Sequence, residues 1–302
     1  MRILVTGGNG FIGSALVVSL LAEGHQVTVV TYSKVIQLKP HENLLIKIGD
    51  YADLKFMDEY LPGMDCLIHL AYTTVPENSV KDPVFDIDSN VISSLRLIEG
   101  MHKNFVKKLI FVSSGGVIYG ENNSIISENS ELRPISSYGI SKYILEKNID
   151  LLSQQLEIQS CILRIANAYG RGQHAKRNQG VINIWSDNIR NEKEINLIGT
   201  GDLIRDFIHI DDVVSAFHKV LEKNVTGTFN IGTGVGTNLN RILNLLEEAI
   251  GKKALIKYIP NRGFDVSSNI LSTDFFRNKT GWNPLIDIRT GIHRVINEVP
   301  SF

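Results

Sequence analysis

The chain has 302 residues, with 31 Lys+Arg against 32 Asp+Glu, a formal net charge of −1. Hydrophobic residues make up 43% and charged residues 21%, enough apolar surface to offset the entropy of ordering, which excludes a disordered chain. Near-neutrality gives no electrostatic case for nucleic acid or an anionic membrane, and no apolar run approaches the ~18–20 residues that span a bilayer. The N-terminus meets glycines before it builds the apolar stretch of a signal peptide, so a cytoplasmic protein is expected. Cys66 and Cys161 both sit in apolar segments and read as buried thiols.

Strand-like and helix-like runs alternate from the start. Arg2–Thr6 reads as a strand and Phe11–Ala22 as a helix, followed by strands at Gln26–Thr31, Leu44–Ile48 and Cys66–Ala71. A long helical stretch covers Val84–His102. Strands at Lys108–Ser113 and Cys161–Ile165 flank a helix over Tyr138–Gln154. This order predicts an α/β protein with a doubly wound parallel sheet, covered by helices on both faces. After about Asn167 the pattern loosens into short strands near Ile195–Ile198, Phe207–Ile210 and Thr228–Ile231. Helices follow at Asp211–Lys223, Asn238–Ile250 and Ile288–Val299. The expected division is a dinucleotide-binding Rossmann-type domain over 1–166, with 203–232 returning to it. A smaller, interleaved C-terminal substrate lobe occupies most of 167–302.

Between the first strand and the first helix stands Gly7-Gly8-Asn9-Gly10-Phe11-Ile12-Gly13. Gly7 permits the tight turn, Gly10 lets the backbone approach a pyrophosphate, and Gly13 lets the helix pack closely on the strand. The helix N-terminus at Phe11 and Ile12 favours the anion. The strand–turn–helix setting makes this a dinucleotide-binding signal. The second strand ends in Thr31-Tyr32-Ser33-Lys34, without the carboxylate that holds the ribose 2′-hydroxyl of NAD. Thr31, Ser33 and Lys34 suit a 2′-phosphate as well, so NADP stands beside NAD. Asp50, after the third strand, reads either as an adenine contact or as a loop cap.

Tyr138 and Lys142 lie four apart on a helix, on one face. A phenol titrates near 10 in water; lowering it by about 3 units takes roughly 4 kcal/mol, which an ammonium and an oxidised nicotinamide together could supply. His69 lies in an apolar strand and reads as a core histidine. Asp211 and Asp212 read as capping carboxylates of the following helix. No His/Cys/Asp/Glu cluster with ligand spacing appears, so no metal is expected.

Several segments in chain order resemble the extended short-chain dehydrogenase/reductases that act on nucleotide sugars, most of all the UDP-glucose 4-epimerase branch. They are Gly7/Gly10/Gly13, Ile68-His69-Leu70-Ala71, Val112-Ser113-Ser114, Val117-Ile118-Tyr119-Gly120 and Tyr138/Lys142. Arg164-Ile165-Ala166-Asn167-Ala168-Tyr169-Gly170, Gly199-Thr200-Gly201, Arg205-Asp206-Phe207-Ile208-His209 and Arg262-Gly263-Phe264-Asp265-Val266 continue the match. The resemblance implies Tyr138 as catalytic acid/base, with Lys142 holding the nicotinamide ribose and lowering the phenol. It implies cofactor contacts at Leu70, Ala71, Asn90 and Ser113. Substrate contacts would come from Thr73, Asn167 and Val181, with Arg205 and Arg262 gripping a diphosphate and Asp265 near the ribose. Arginine forks suit phosphate oxygens.

The chain departs from that family at Gly115, where the tyrosine's hydroxyl partner is usual. Ser114 is the candidate replacement; alternatively Ser113 and Ser114 satisfy backbone and cofactor while Tyr138 works alone. Gly115-Gly116 stands in place of the acid pair of dehydratases, which disfavours elimination of water. Arg171, His174, Lys176 and Arg177 make the loop after Gly170 basic. The leading expectation is a nucleotide-sugar 4-epimerase, homodimeric, with transient oxidation at C4. The alternative is an NAD(P)H-dependent 4-keto reductase of a nucleotide-linked deoxy sugar, and a third reading is a non-catalytic NAD(P) sensor.

Overall fold

The computed structural model describes residues 1–122, 124–173, 180–263 and 265–297. Its first half runs β1 (Arg2–Thr6), α1 (Phe11–Ala22), β2 (Gln26–Thr31), β3 (Leu44–Ile48), α2 (Leu54–Met57), β4 (Cys66–His69), α3 (Pro76–Ser79) and α4 (Pro83–Asp86). A π-helical segment (Ile87–Ile92) then leads into α5 (Ser93–Lys103), β5 (Lys108–Ser114), α6 (Ser137–Gln155) and β6 (Gln159–Ile165). There follow β7 (Asn167–Tyr169), α7 (Val181–Arg190), β8 (Glu194–Ile198), β9 (Ile204–His209), α8 (Ile210–Lys223) and β10 (Gly227–Ile231). The chain closes with β11 (Gly236–Asn238), α9 (Leu239–Ile250), β12 (Leu255–Ile259), β13 (Ser268–Asn269), α10 (Asp274–Thr280) and α11 (Ile288–Asn297).

Seven strands form a parallel sheet in the order β3-β2-β1-β4-β5-β6-β10. The order reverses direction between β1 and β4, and that switch point opens a crevice at the strands' carboxyl ends, as in Rossmann-type folds. Alternation along β1 sends Ile3 and Val5 to a core shared with α1 and α8, and Leu4 to a second core shared with α5 and α6. Both faces are covered, so the strands read as continuous apolar runs. Cys66 and Cys161 are free and buried in this sheet, and burial pushes the Cys66 thiol up to about 12.

The smaller lobe has its own core, in which Ile182, Trp185 and Ile189 of α7 pack with Ile242 and Leu246 of α9. Here β9 lies between β11 and β13, with β7 also pairing to it; β12 and β8 form a separate parallel pair. Within 203–232, therefore, α8 and β10 rejoin the large sheet while β9 remains in the lobe. One strand residue binds the two together. Asp206 of β9 is buried and accepts hydrogen bonds from the backbone of Thr233, Gly234 and Leu271.

Three expectations need correction. The stretch over 84–102 is not one helix: α4, the π segment and α5 divide it, because Asp86 and Asn90 engage side-chain partners described below. Helix α8 begins at Ile210 and is capped by the His209 ring, which accepts from the Asp211 backbone N–H at 3.2 Å. Asp212 instead accepts from the backbone of Leu285 and Ile286 at 2.9 and 3.0 Å, and Asp211 pairs with Arg294 at 3.0 Å. Of the basic loop, Arg171 lies 3.7 Å from Asp211; His174, Lys176 and Arg177 lie outside the described residues, as do Phe264 and the end of the final expected helix.

Candidate active site

The glycine turn is a close crossing of three backbones. Gly7 has φ +73°, and a Cβ there would meet the Ala71 nitrogen at 2.7 Å. A Cβ on Gly13 would meet the Gly7 carbonyl oxygen at 2.2 Å, so only glycine lets α1 start this close to β1. Gly10 caps α1 with no side chain, leaving the amides of Phe11 and Ile12 at a helix N-terminus with its positive dipole end. Asn9 fixes the turn from below: its amide donates to the Val35 carbonyl at 2.8 Å and accepts from the Gln37 N–H at 2.9 Å.

At the tip of β2 the hydroxyls are already engaged. The Thr31 hydroxyl accepts from the Ser33 N–H at 3.2 Å, and Ser33 donates to the Val35 carbonyl at 2.7 Å. Lys34 is exposed. Asp50 caps its own loop, accepting from the Ala52 N–H at 2.7 Å. It also receives the Tyr32 hydroxyl; burial, then that bond, pushes the phenol up. Leu70 and Ala71, half-buried, follow the end of β4 at His69 and lie opposite the glycine turn.

Helix α6 carries Tyr138 and Lys142 on its first turns. Ser136 caps it by accepting from the Gly139 N–H at 3.1 Å, and the Tyr138 N–H donates to the Ser79 hydroxyl at 3.0 Å. Lys142 is only 3% exposed. Its Nζ donates to the Val112 carbonyl at 2.7 Å and sits 3.7 Å from the centroid of the Tyr72 ring, a cation–π contact. Tyr72 meets Tyr138 edge-on at 4.9 Å between centroids. Burial brings the Lys142 ammonium down to about 7, against the opposing pull of Glu146 and Asp86. The Tyr138 phenol is pushed up, first by burial and then by the charge of Asp86. The expectation that Lys142 lowers the phenol is not met in this state: its Nζ is 5.8 Å from the Tyr138 ring centroid and is directed at Val112.

A cleft of about 470 Å³ runs from this helix to the small lobe. Phe11, Ile12, Ser113, Ser114 and Tyr138 line one end, and Asn167, Val181, Arg205, Arg262 and Asp265 the other. The Ser113 hydroxyl is buried at the cleft with no hydrogen-bond partner among the described residues. Gly115 is explained by packing: a Cβ would lie 2.4 Å from Cδ1 of the fully buried Leu271. Arg262 forks onto Asp265 through Nε and Nη2 at 2.9 and 2.8 Å, and Arg205 lies 3.9 Å from the same carboxylate. Burial tends to raise Asp265, but these hydrogen bonds and charges hold it below the ordinary carboxylate range.

The family model for NAD dependent epimerases and dehydratases matches residues 3–232. The chain belongs to the NAD-dependent epimerase/dehydratase family. A dTDP-4-dehydro-6-deoxyglucose reductase from Escherichia coli is 32% identical, covering 98% of this chain and 97% of its own. Among solved structures, the UDP-glucose 4-epimerase of Thermotoga maritima with UDP-glucose is similar at TM-score 0.93 and 36% identity, covering 98% of this chain and 97% of that one. The UDP-glucose 4-epimerase of Thermus thermophilus in complex with NAD is similar at TM-score 0.92 and 30% identity, covering 98% of both chains.

Against the family pattern, two expected contacts fall elsewhere. Asn90 is fully buried and does not face the cleft: its Oδ1 accepts from the Thr73 N–H at 2.7 Å, and its Nδ2 donates to the Thr74 hydroxyl, the Asp86 carbonyl and the Asp86 carboxylate. It positions the loop after β4. Thr73 is exposed, and the cleft wall there is made by Val75, Pro76 and Glu77. Reading the sequence missed Asp86 and Thr74, and gave Tyr72 no part beside Lys142.

Proposed function

We propose that this family member is a nucleotide-sugar 4-epimerase of the UDP-glucose type. The observation that carries the reading is the single cleft joining Tyr138, Ser113 and Ser114 to the arginines Arg205 and Arg262. A proton-transfer group and a diphosphate clamp in one cavity fit a sugar held by its anionic linker and free to turn at the ring. Tyr138 gives and takes the proton of the sugar 4-hydroxyl, with Ser114 as the neighbouring hydroxyl. In the state described here the phenol holds its proton, ready as an acid. Lys142 stands beside it on the same helix, its Nζ directed by the Val112 carbonyl.

The residues fit a dinucleotide. The glycine crossing leaves no room for a Cβ, the α1 amides stand at a helix N-terminus, and the unpartnered Ser113 hydroxyl opens on the same cleft. Gly7, Gly10, Gly13, Phe11 and Ile12 would hold the pyrophosphate, and Lys142 the nicotinamide ribose. When bound, NAD supplies the hydride acceptor and donor and a positive ring charge. Asp50, with its carboxylate beside the β2 tip, and the engaged hydroxyls of Thr31 and Ser33 favour NAD over a cofactor with an extra phosphate.

Residues 1–166 with α8 and β10 would form the dinucleotide unit, and the remainder of 167–302 the substrate lobe. The protein would work in the cytoplasm; among the described residues no helix is long and apolar enough to cross a membrane. Exposed Val84, Phe85, Ile87, Ile92, Ile140 and Leu151, between 38% and 76% accessible, support a homodimer through α4–α6. Light scattering of the purified protein should give twice the 33.7 kDa chain mass.

The deciding experiment supplies UDP-galactose to purified protein, with and without added NAD. UDP-glucose should form with no net consumption of cofactor. Absence of interconversion across a panel of UDP- and dTDP-hexoses overturns the reading. The reductase alternative is favoured by the relative from Escherichia coli and by the missing hydroxyl at Gly115. It requires stoichiometric loss of NAD(P)H absorbance with a 4-keto sugar nucleotide.

A further inference from the structure

Asp86 ends α4 with no exposed surface, and its carboxylate makes no salt bridge among the described residues. It is held by neutral donors from three parts of the chain. The Thr74 hydroxyl, from the loop after β4, donates to Oδ1, and Asn90 of the π segment donates to the same oxygen at 3.2 Å. Ser137 and Ser141 of α6 donate to Oδ2 at 3.2 and 2.6 Å.

The two serines are one helical turn apart, each one residue before Tyr138 and Lys142 respectively. On a helix advancing about 100° per residue, the serine row lies beside the Tyr–Lys row. Anchoring the serines therefore fixes the rotation of α6 about its axis and, with it, the direction of both Tyr138 and Lys142. Through Thr74 the same carboxylate also fixes the loop that lays Tyr72 against both. Its negative charge acts on Tyr138, Lys142 and Tyr72 alike.

We infer that Asp86 is a positioning residue for the Tyr138–Lys142 pair, setting the rotation of α6 and placing a buried carboxylate beside both groups. The inference rests on the proposed roles of Tyr138 and Lys142. The other titratable groups around the pair are His69 from β4, Tyr72 from the following loop with Tyr51 behind it, and Glu146 from α6, itself paired to Arg164. Glu77, Arg205, Arg262 and Asp265 line the same cleft.

Removing the charge with Asp86→Asn lowers the affinity of both groups for their protons. The limb requiring phenolate and the limb requiring ammonium then move together, so the pH window of turnover shifts to lower pH by about one unit or more. A merely structural role would reduce activity without moving the window. The test measures kcat against pH for UDP-galactose with NAD, in wild type, Asp86→Asn and Tyr138→Phe, with thermal unfolding as the fold control. A folded Asp86→Asn protein whose window does not move overturns the inference. Should that variant not fold, the Ser137→Ala/Ser141→Ala double variant keeps the charge and frees α6. A loss in kcat of about 10-fold at unchanged KM is then expected, and unchanged kcat overturns the proposal.

The charge effect is also read without turnover, from the ultraviolet phenolate absorbance that Tyr138→Phe removes, which should appear at lower pH in Asp86→Asn. A protein that does not interconvert these sugars thus loses the functional reading and leaves this result to stand or fall by itself. Full turnover in Tyr138→Phe removes the pair's catalytic role and overturns the inference with it.

Discussion

At the scale of single residues, the chemistry depends on burial more than on residue type. Tyr138 and Lys142 were legible from their spacing, but the burial that raises one and lowers the other is set by Tyr72, Phe111 and Asp86, which no local pattern joins to them. Tyr138→Phe removes only the transferable proton and should reduce kcat by about 10²–10⁴-fold at an unchanged unfolding midpoint. His69 illustrates the opposite case. Its ring pairs with Thr6 at 2.6 Å and Ser94 at 2.8 Å, so it is the satisfied core histidine that its apolar strand implied. Burial brings it from 6.5 down to about 3. The unfolded chain binds a proton there below pH 6.5 while the folded chain does not, so this contribution to stability is full above that pH and is lost as pH falls toward 3. His69→Gln should flatten the acid side of a stability–pH curve measured by urea unfolding.

At the scale of elements, the sequence reports periodicity well and interruptions poorly. Helices α1, α6 and α9 fall within a residue or so of their expected bounds; α1 starts at the glycine turn, and Ser136 and Asn238 cap the other two with their side chains. The 84–102 stretch failed because Asp86 and Asn90 form hydrogen bonds from inside the helix to loop and helix partners distant in sequence. Helix α7 was not expected at all, although its buried Ile182, Trp185 and Ile189 stand at helical spacing. Two predictions belong here. Gly13→Ala places a methyl against the Gly7 carbonyl and should move α1 off β1, weakening NAD binding by calorimetry and lowering the unfolding midpoint. Glu146 of α6 and Arg164 of β6 form a buried pair at 2.6 Å, with the Arg164 Nη1 also donating to Tyr119 at 2.7 Å. Glu146→Gln leaves the guanidinium without its counter-charge and should cost about 3–5 kcal/mol in chemical unfolding.

At the scale of the whole molecule, the cleft exists because α8 and β10 return to the large sheet between two stretches of the small lobe, β7 to β9 before them and β11 to β13 with α9 after them. That crossing brings Arg205 of β9 and the segment at Arg262 over the carboxyl ends of β5 and β6. Arg205 and Arg262 share the Asp265 carboxylate on the wall of the cleft. Arg262→Ala should raise KM for the nucleotide sugar by about 10–100-fold, matching the loss of a charge-assisted hydrogen bond, with smaller change in NAD affinity. Steady-state kinetics with each ligand varied in turn separates the two.

What the sequence determined by itself was the parallel α/β plan, the glycine turn and the one-turn spacing of Tyr138 and Lys142 on a single helix. Each is written within one turn, strand or helix, where neighbours in sequence are neighbours in space. Net charge of −1 likewise stayed silent about the cleft, since it sums over Arg205 and Arg262 together with acidic neighbours such as Asp265. Only the tertiary structure decided that Asn90 supports a loop, that Gly115 yields to Leu271, and that Asp86 lies against α6. Those contacts join residues tens to more than a hundred positions apart, and burial in a packed interior, which no local pattern encodes, decides their energies.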